Sequence, residues 1–98
     1  MADGDFEWDD AKAAQNYAKH GVTFEAARGV FKDPFAIEQI DDRHDYGEER
    51  WTIIGAAHGR LLFVAYTMRN DSFRIISARE ATPYEQQEYH EQNTRGEA

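Results

Sequence analysis

Residues 61–79, LLFVAYTMRNDSFRIISAR, hold two runs in which apolar side chains recur with the period of a strand, separated by Asn70–Asp71. Asn and Asp tolerate the left-handed backbone of a two-residue hairpin turn, so 61–69 and 72–79 read as adjacent antiparallel strands. Such a turn fixes the register. Arg69 is expected opposite Ser72, Thr67 opposite Arg74, Ala65 opposite Ile76 and Phe63 opposite Ala78. Leu62, Val64, Tyr66 and Met68 then share a face with Phe73, Ile75, Ser77 and Arg79. That face is the more apolar and is expected to meet helices, with Arg69 and Arg74 on the opposite, more open face. The run 61–69 is mostly apolar, as suits a central strand.

The rest of the chain can be read around this hairpin. Phe6–Asp10 is either a short strand or an extended arm. Asp9 or Asp10 can cap a helix in which Ala11, Ala14, Tyr17 and Ala18 recur at helical spacing. Lys19 and His20 suit its last turn, and Gly21 its left-handed C-terminus. Thr23 caps a second helix whose apolar face is Phe24, Ala27, Val30 and Phe31, with Val22 and Ala27 as a hydrophobic staple. Asp33–Pro34 ends it. The period then changes to two, giving strands over 35–40 and 50–57 on either side of a polar loop. After the hairpin, Thr82, Pro83 and Glu85 form the start of a third helix with a capping box, running to about Gln92. The expectation is an α+β fold, a helical hairpin and a C-terminal helix packed on a four-stranded antiparallel sheet.

A chain of 98 residues makes one small domain, here 1–98, with short acidic flexible ends. There is no cysteine, which excludes disulfides and thiolate chemistry. No apolar run approaches the roughly 20 residues that span a bilayer, so no membrane role and a cytoplasmic location are expected. The net charge of −8 is unevenly spread: residues 1–10 hold five acids and no base, whereas 11–84 hold ten of each. Within 60–79, Arg60, Arg69, Arg74 and Arg79 face only Asp71 in sequence. A local basic face is what nucleic-acid binding needs, whatever the total charge; the bland alternative is ordinary solvated charge.

The candidate chemistry is sparse. No nucleophile motif, phosphate loop or dinucleotide fingerprint is present. Arg79 ends a strand beside Glu80, just before a capped helix, where it serves either a surface salt bridge or a phosphate. In the simple register it lies roughly 23 Å from the Arg69 end of the ladder, too far for one phosphate. A bulge would turn Arg79 to the open face. His44, in DDRHDYGEER, is flanked by carboxylates and followed by Arg50. It reads either as a general base beside a phosphate clamp or as part of a solvated loop. Metal binding by His44, Asp42 and Asp45 is a weaker reading, because adjacent loop residues seldom encircle an ion, and neither a metal nor a cofactor is expected. RNA cleavage by the substrate's own 2′-hydroxyl fits this inventory, since the protein then supplies only positioning, cations and one proton acceptor.

The stretches FEWDDAKAAQNYAKHGVTFEAARGVFKDP, DDRHDYGEERWTIIG, GRLLFVAYTMR and RIISAREAT resemble the BrnT toxins over about residues 6–90. The resemblance implies a RelE-like ribonuclease fold and a type II toxin–antitoxin role. It implies a BrnA-type ribbon-helix-helix antitoxin as partner, in a heterotetramer that reaches operator DNA only through the antitoxin. Arg79 matches a family position tied to toxicity, with Arg50 and Arg69 as further basic contributors and His44 and Glu49 bordering the cleft. Arg74 and Arg60 would add RNA contacts. The rival reading is an inactive binding module whose arginines receive an acidic antitoxin segment.

Overall fold

The computed structural model describes residues 2–3, 5–42 and 47–95. The chain runs β1 (Ala2–Asp3), β2 (Phe6–Glu7), α1 (Asp10–His20), α2 (Phe24–Ala27), a 3-10 helix (Arg28–Lys32), β3 (Ile37–Ile40), β4 (Trp51–Ala57), β5 (Arg60–Arg69), β6 (Ser72–Glu80) and α3 (Pro83–Arg95). The fold is α+β. Among the described residues the sheet has six strands in the order β1-β2-β6-β5-β4-β3 and is mixed, since β2 runs parallel to β6. This corrects the four-stranded antiparallel sheet read from the sequence. The N-terminal segment is a strand because its ring has partners. Phe6 packs on Phe73 and Phe31 at centroid distances of 5.4 and 5.1 Å, and the Asp5 carbonyl accepts the Phe73 N–H at 2.7 Å.

Local signals set the helix ends. Asp9 accepts the Lys12 N–H at 3.0 Å, and Gly21 closes α1 with φ 69°, its N–H bonded to the Tyr17 carbonyl. Thr23 caps α2 by accepting the Ala26 N–H at 3.0 Å. The staple residues Val22 and Ala27 are both buried. The second helix is not continuous, however: after four residues the backbone tightens to a 3-10 helix through Lys32. That helix lies directly against β4, where a Cβ on Gly55 would stand 2.7 Å from the Val30 side chain. A glycine is what permits the approach.

The sheet buries both faces. On one, Trp8, Phe24, Val30, Ile53, Leu62, Val64, Tyr66, Ile75 and Ala78 form the main core beneath α1, α2 and the 3-10 helix. On the other, α3 brings Tyr89, with Ala81, onto Ile54, Leu61 and Phe63. The C-terminal helix therefore packs on the face expected to be open. α1 also differs from its pattern. The expected stripe of Ala11, Ala14, Tyr17 and Ala18 is exposed, and the buried residue is Asn16. Its amide donates to the carbonyls of Val22 (3.0 Å) and Ala78 (2.8 Å) and accepts the Ala78 N–H (3.1 Å). It thus serves strand backbone that β2, paired only at Phe73 and Arg74, does not reach.

The hairpin turn forms as expected, with Asn70 and Asp71 at φ 50° and 66°. The register follows the sequence reading at Arg69–Ser72 and Thr67–Arg74, then shifts at a bulge between Ala65 and Tyr66. Beyond it Ala65 faces Ser77, Val64 faces Ala78 and Phe63 faces Arg79. The cause is the core. Ile75 and Ala78 are both buried against α1 and α2, and two positions three apart cannot share a face of a regular strand. One extra residue on β6 resolves the conflict.

Candidate functional site

The bulge decides where Arg79 points. In an unbroken ladder Arg79 would face the main core; in the shifted register it shares the face of Phe63, and its guanidinium carbon sits 4.2 Å from the Phe63 ring centroid. A ring face beneath a guanidinium favours the cation and holds its plane. A cleft of about 430 Å³ opens there. Its floor is Thr52, Ile54 and Phe63; Arg79 is on one side, Gln39 to Asp42 on the other, and Tyr84, Glu85 and Glu88 come from the first turns of α3.

Arg79 is held by Glu85, not by the Glu80 side chain. Its two terminal nitrogens donate to the two Glu85 oxygens at 2.8 and 2.9 Å, and one also donates to the Glu80 carbonyl at 3.1 Å. Glu85 is also the capping-box residue, accepting the Thr82 N–H at 2.9 Å while its own N–H donates to the Thr82 hydroxyl at 3.2 Å. Burial pushes the Glu85 carboxyl up, but the hydrogen bonds from Arg79 and Thr82 outweigh it and hold the group below its ordinary value.

A family model described as "Ribonuclease toxin, BrnT, of type II toxin-antitoxin system" matches residues 8–85. The chain belongs to the BrnT family. A comparison with curated proteins finds no match. The matched span carries every element from α1 to β6 and the first residues of α3, so the cleft of this BrnT chain lies within it except for Glu88.

The other candidates fall into separate groups. Arg50 and Arg69 come together through Glu48, each 3.4 Å from a different oxygen of that carboxylate. Arg69 is six positions along β5 from Phe63, about 20 Å at the usual strand rise, so Arg69 and Arg79 do not grip one phosphate. Arg60 pairs with Glu80 at 3.0 Å at the far end of the hairpin, and Arg74 with Glu7 at 3.7 Å on the β2 side. The arginines that face only Asp71 within 60–79 in sequence are met by other carboxylates in the fold. Arg60, Arg69, Arg74 and Arg79 each meet a carboxylate from outside 60–79, and Arg50 meets Glu48 two residues before it. Glu49 is exposed, and its contribution to the fold is a carbonyl that accepts the Thr67 hydroxyl at 2.6 Å. His44 lies outside the described residues.

Sequence reasoning missed Glu85 and Glu48 as arginine partners. For Glu85 a signal existed: a capping box turns the third side chain back toward the helix start, and the chain arrives there from Arg79. No helix among the described residues is long and apolar enough to cross a membrane.

Proposed function

We propose that residues 1–98 act as one BrnT toxin domain, a metal-independent endoribonuclease of the cytoplasm that inhibits translation and is neutralised by a BrnA-type antitoxin. The observation that supports this most is the placement of Arg79, whose planar fork is aimed into a cleft by a bulge and supported by an aromatic ring. In the reaction the RNA 2′-oxygen attacks the adjacent phosphorus. A P–O2′ bond forms, the P–O5′ bond breaks, the 2′ proton goes to a base and the 5′ oxygen takes up a proton. The products are a 2′,3′-cyclic phosphate and a 5′-hydroxyl.

Arg79 stabilises the charge that develops on the phosphoryl oxygens, a role for which a bidentate guanidinium is suited. Arg69, about 20 Å away along the sheet, and Arg50, about 13 Å away because it lies four positions from the Ile54 that pairs with Phe63, hold the RNA backbone at a second point, with Arg74 and Arg60 adding long-range attraction. His44 is the proposed proton acceptor; Glu49, held beside Thr67 about 13 Å along the sheet from Phe63, is too far from Arg79 to serve the same phosphate. The assembled form is a heterotetramer of two toxins and two antitoxins, which reaches operator DNA through the antitoxin.

A second reading, an inactive module that only pairs with its antitoxin, is favoured by one observation. Each described candidate arginine already has a carboxylate partner. Inducing the chain without its antitoxin and mapping RNA ends separates the two. New ends carrying 2′,3′-cyclic phosphate support the enzyme; intact RNA with normal growth supports the binding module.

A further inference from the structure

The sheet has an open edge beside the cleft. β3 is the outermost strand on that side, paired with β4 alone among the described strands. The Asp41 N–H donates to the Arg50 carbonyl at 2.8 Å. Antiparallel ladders alternate between pairs that exchange hydrogen bonds and pairs that do not. In the observed register Ile37, Gln39 and Asp41 therefore direct their backbone groups toward β4, while Glu38 and Ile40 direct theirs outward. An outward row of N–H and C=O groups is a template for another strand. Residues 37–40 carry neither the lysine nor the proline that commonly protects such an edge.

Apolar side chains gather on the same flank. Phe35, Ile40 and Tyr84 are 59%, 65% and 73% exposed, three of the five large hydrophobic residues so exposed among the described residues. Phe35 leads into β3 and is tied to α3 by the Asn93 amide, which donates to its carbonyl at 3.2 Å. Tyr84 stands at the cleft, while Ile40, opposite Trp51, projects from the other face of the same edge strand. Apolar exposure flanking an open strand edge marks an interaction surface.

The charge of the cleft states what fits. Asp41, Asp42, Glu85 and Glu88 line it, and Arg79, the lone cation among its described lining residues, is occupied by Glu85. A polyanion meets repulsion on the β3 side. A lysine or arginine meets carboxylates at its head and Ile54 and Phe63 along its stem, the combination long cationic side chains satisfy best.

We infer that the β3 edge and the adjoining side of the cleft receive an extended segment of the antitoxin that bears lysine or arginine, added to the sheet as a further strand. The identity of the partner rests on the toxin reading above; the edge and its charge do not. Backbone pairing at Glu38 and Ile40 supplies affinity, and alternate side chains enter the cleft, where one cation sits between Asp42 and Glu88. The seated segment closes the cleft to RNA.

The test uses the full chain and a BrnA-type antitoxin co-expressed with it. Ile40→Pro removes an outward N–H without touching the bonds to β4, and Ile40→Ala keeps that N–H. The first is expected to weaken the complex about tenfold or more and the second less, because the lost donor leaves an unpaired acceptor on the partner. The pair Asp42→Lys and Glu88→Lys weakens it further by placing cation against cation. Amide hydrogen exchange of the wild-type complex, which needs no variant to fold, should show protection appearing at Glu38 and Ile40. Antitoxin bound equally by all variants, with both amides still exchanging fast, overturns the inference and leaves the toxin reading intact. An antitoxin that does not bind the wild-type chain at all overturns the reading and the inference together. If RNA rather than antitoxin protects these amides, the assignment of the partner is overturned.

Discussion

Glu85 grips Arg79 through both terminal guanidinium nitrogens while the same carboxylate closes the capping box of α3. One side chain thus joins the candidate catalytic cation to the start of the helix that roofs the cleft. An incoming phosphate must displace or share this internal counter-ion. Glu85→Gln keeps an oxygen for the Thr82 N–H and releases much of the hold on Arg79. RNA binding should tighten roughly threefold to tenfold, since a charge-assisted competitor has been replaced by a neutral one. Stability should fall by about 1 kcal/mol, because the pair is only partly screened from water. Fluorescence titration with a short RNA, alongside thermal melting, checks both. Unchanged binding would show that Arg79 does not meet the phosphate.

The Asn16 amide makes a different prediction. Asn16→Ala removes three hydrogen bonds from a buried place and leaves the Ala78 backbone without its partners. Unsatisfied buried groups are costly, and the loss should be about 3 kcal/mol. Tyr17→Ala, one residue along, should cost little, since Tyr17 is 56% exposed. Urea denaturation of the two variants separates them, and equal losses would return Tyr17 to the buried face of α1.

Asp33 ties three segments together, accepting the Ala56 N–H at 2.8 Å, the Phe35 N–H at 2.9 Å and the Tyr89 hydroxyl at 2.7 Å. Burial pushes its carboxyl up, but the N–H and hydroxyl donors prevail and hold it below its ordinary value of 3.8. A lowered folded value contributes stability that is present above pH 3.8 and is lost as pH falls through that lower value. Tyr89 moves the other way: burial first, then Asp33, raise it from 10.0 to about 12. Its contribution is complete below pH 10.0 and is lost as pH rises toward 12. Asp33→Asn should flatten the acid limb of a stability–pH curve. Tyr89→Phe should shrink the alkaline limb without abolishing it, because Tyr66 is raised in the same sense by burial and by Glu38. Unaltered limbs in both variants would remove the Asp33–Tyr89 pair from the account.

What the sequence disclosed was local. The caps at Asp9 and Thr23, the closing Gly21, the Asn70–Asp71 turn and the Thr82–Glu85 box each depend on a few neighbouring residues, and each stands as read. What it concealed was set by packing across the fold. The bulge exists because Ile75 and Ala78 must both reach the core, and nothing between them announces which residue will be extra. Asn16 gives no local signal of its role, because its partner, the Ala78 backbone, lies 62 residues away. The parallel pairing of β2 depends on Phe31 and Phe73 meeting Phe6. The same holds for the site. Arg79 was visible as a strand-end arginine, but its orientation follows from the bulge, and the separation of Arg69 from it follows from the length of β5.

The role of Arg79 itself gives the sharpest expectation. If it stabilises the phosphoryl transition state, Arg79→Ala should lower RNA cleavage about a hundredfold or more, the usual loss for one preorganised charge contact. Lysine should restore little, because a point charge cannot span two oxygens as the fork does. Arg79→Ala also frees Glu85 to repel phosphate, so RNA binding should fall further in the alanine variant than in Arg79→Ala with Glu85→Gln, and the double variant should recover part of the binding but not the rate. Arg60, paired with Glu80 in an exposed position, is the internal comparison: Arg60→Ala should change cleavage by less than about threefold. Arg50→Ala and Arg69→Ala, acting on the RNA backbone at a distance, should weaken binding at low salt and each lower the salt slope by about one, leaving the rate on saturated enzyme near that of the parent. The measurements are initial rates on a short RNA at several salt concentrations, with melting temperatures for every variant. Full cleavage by a folded Arg79→Ala protein would remove Arg79 from the reaction and return the bidentate pair with Glu85 to the structural role of tying β6 to α3.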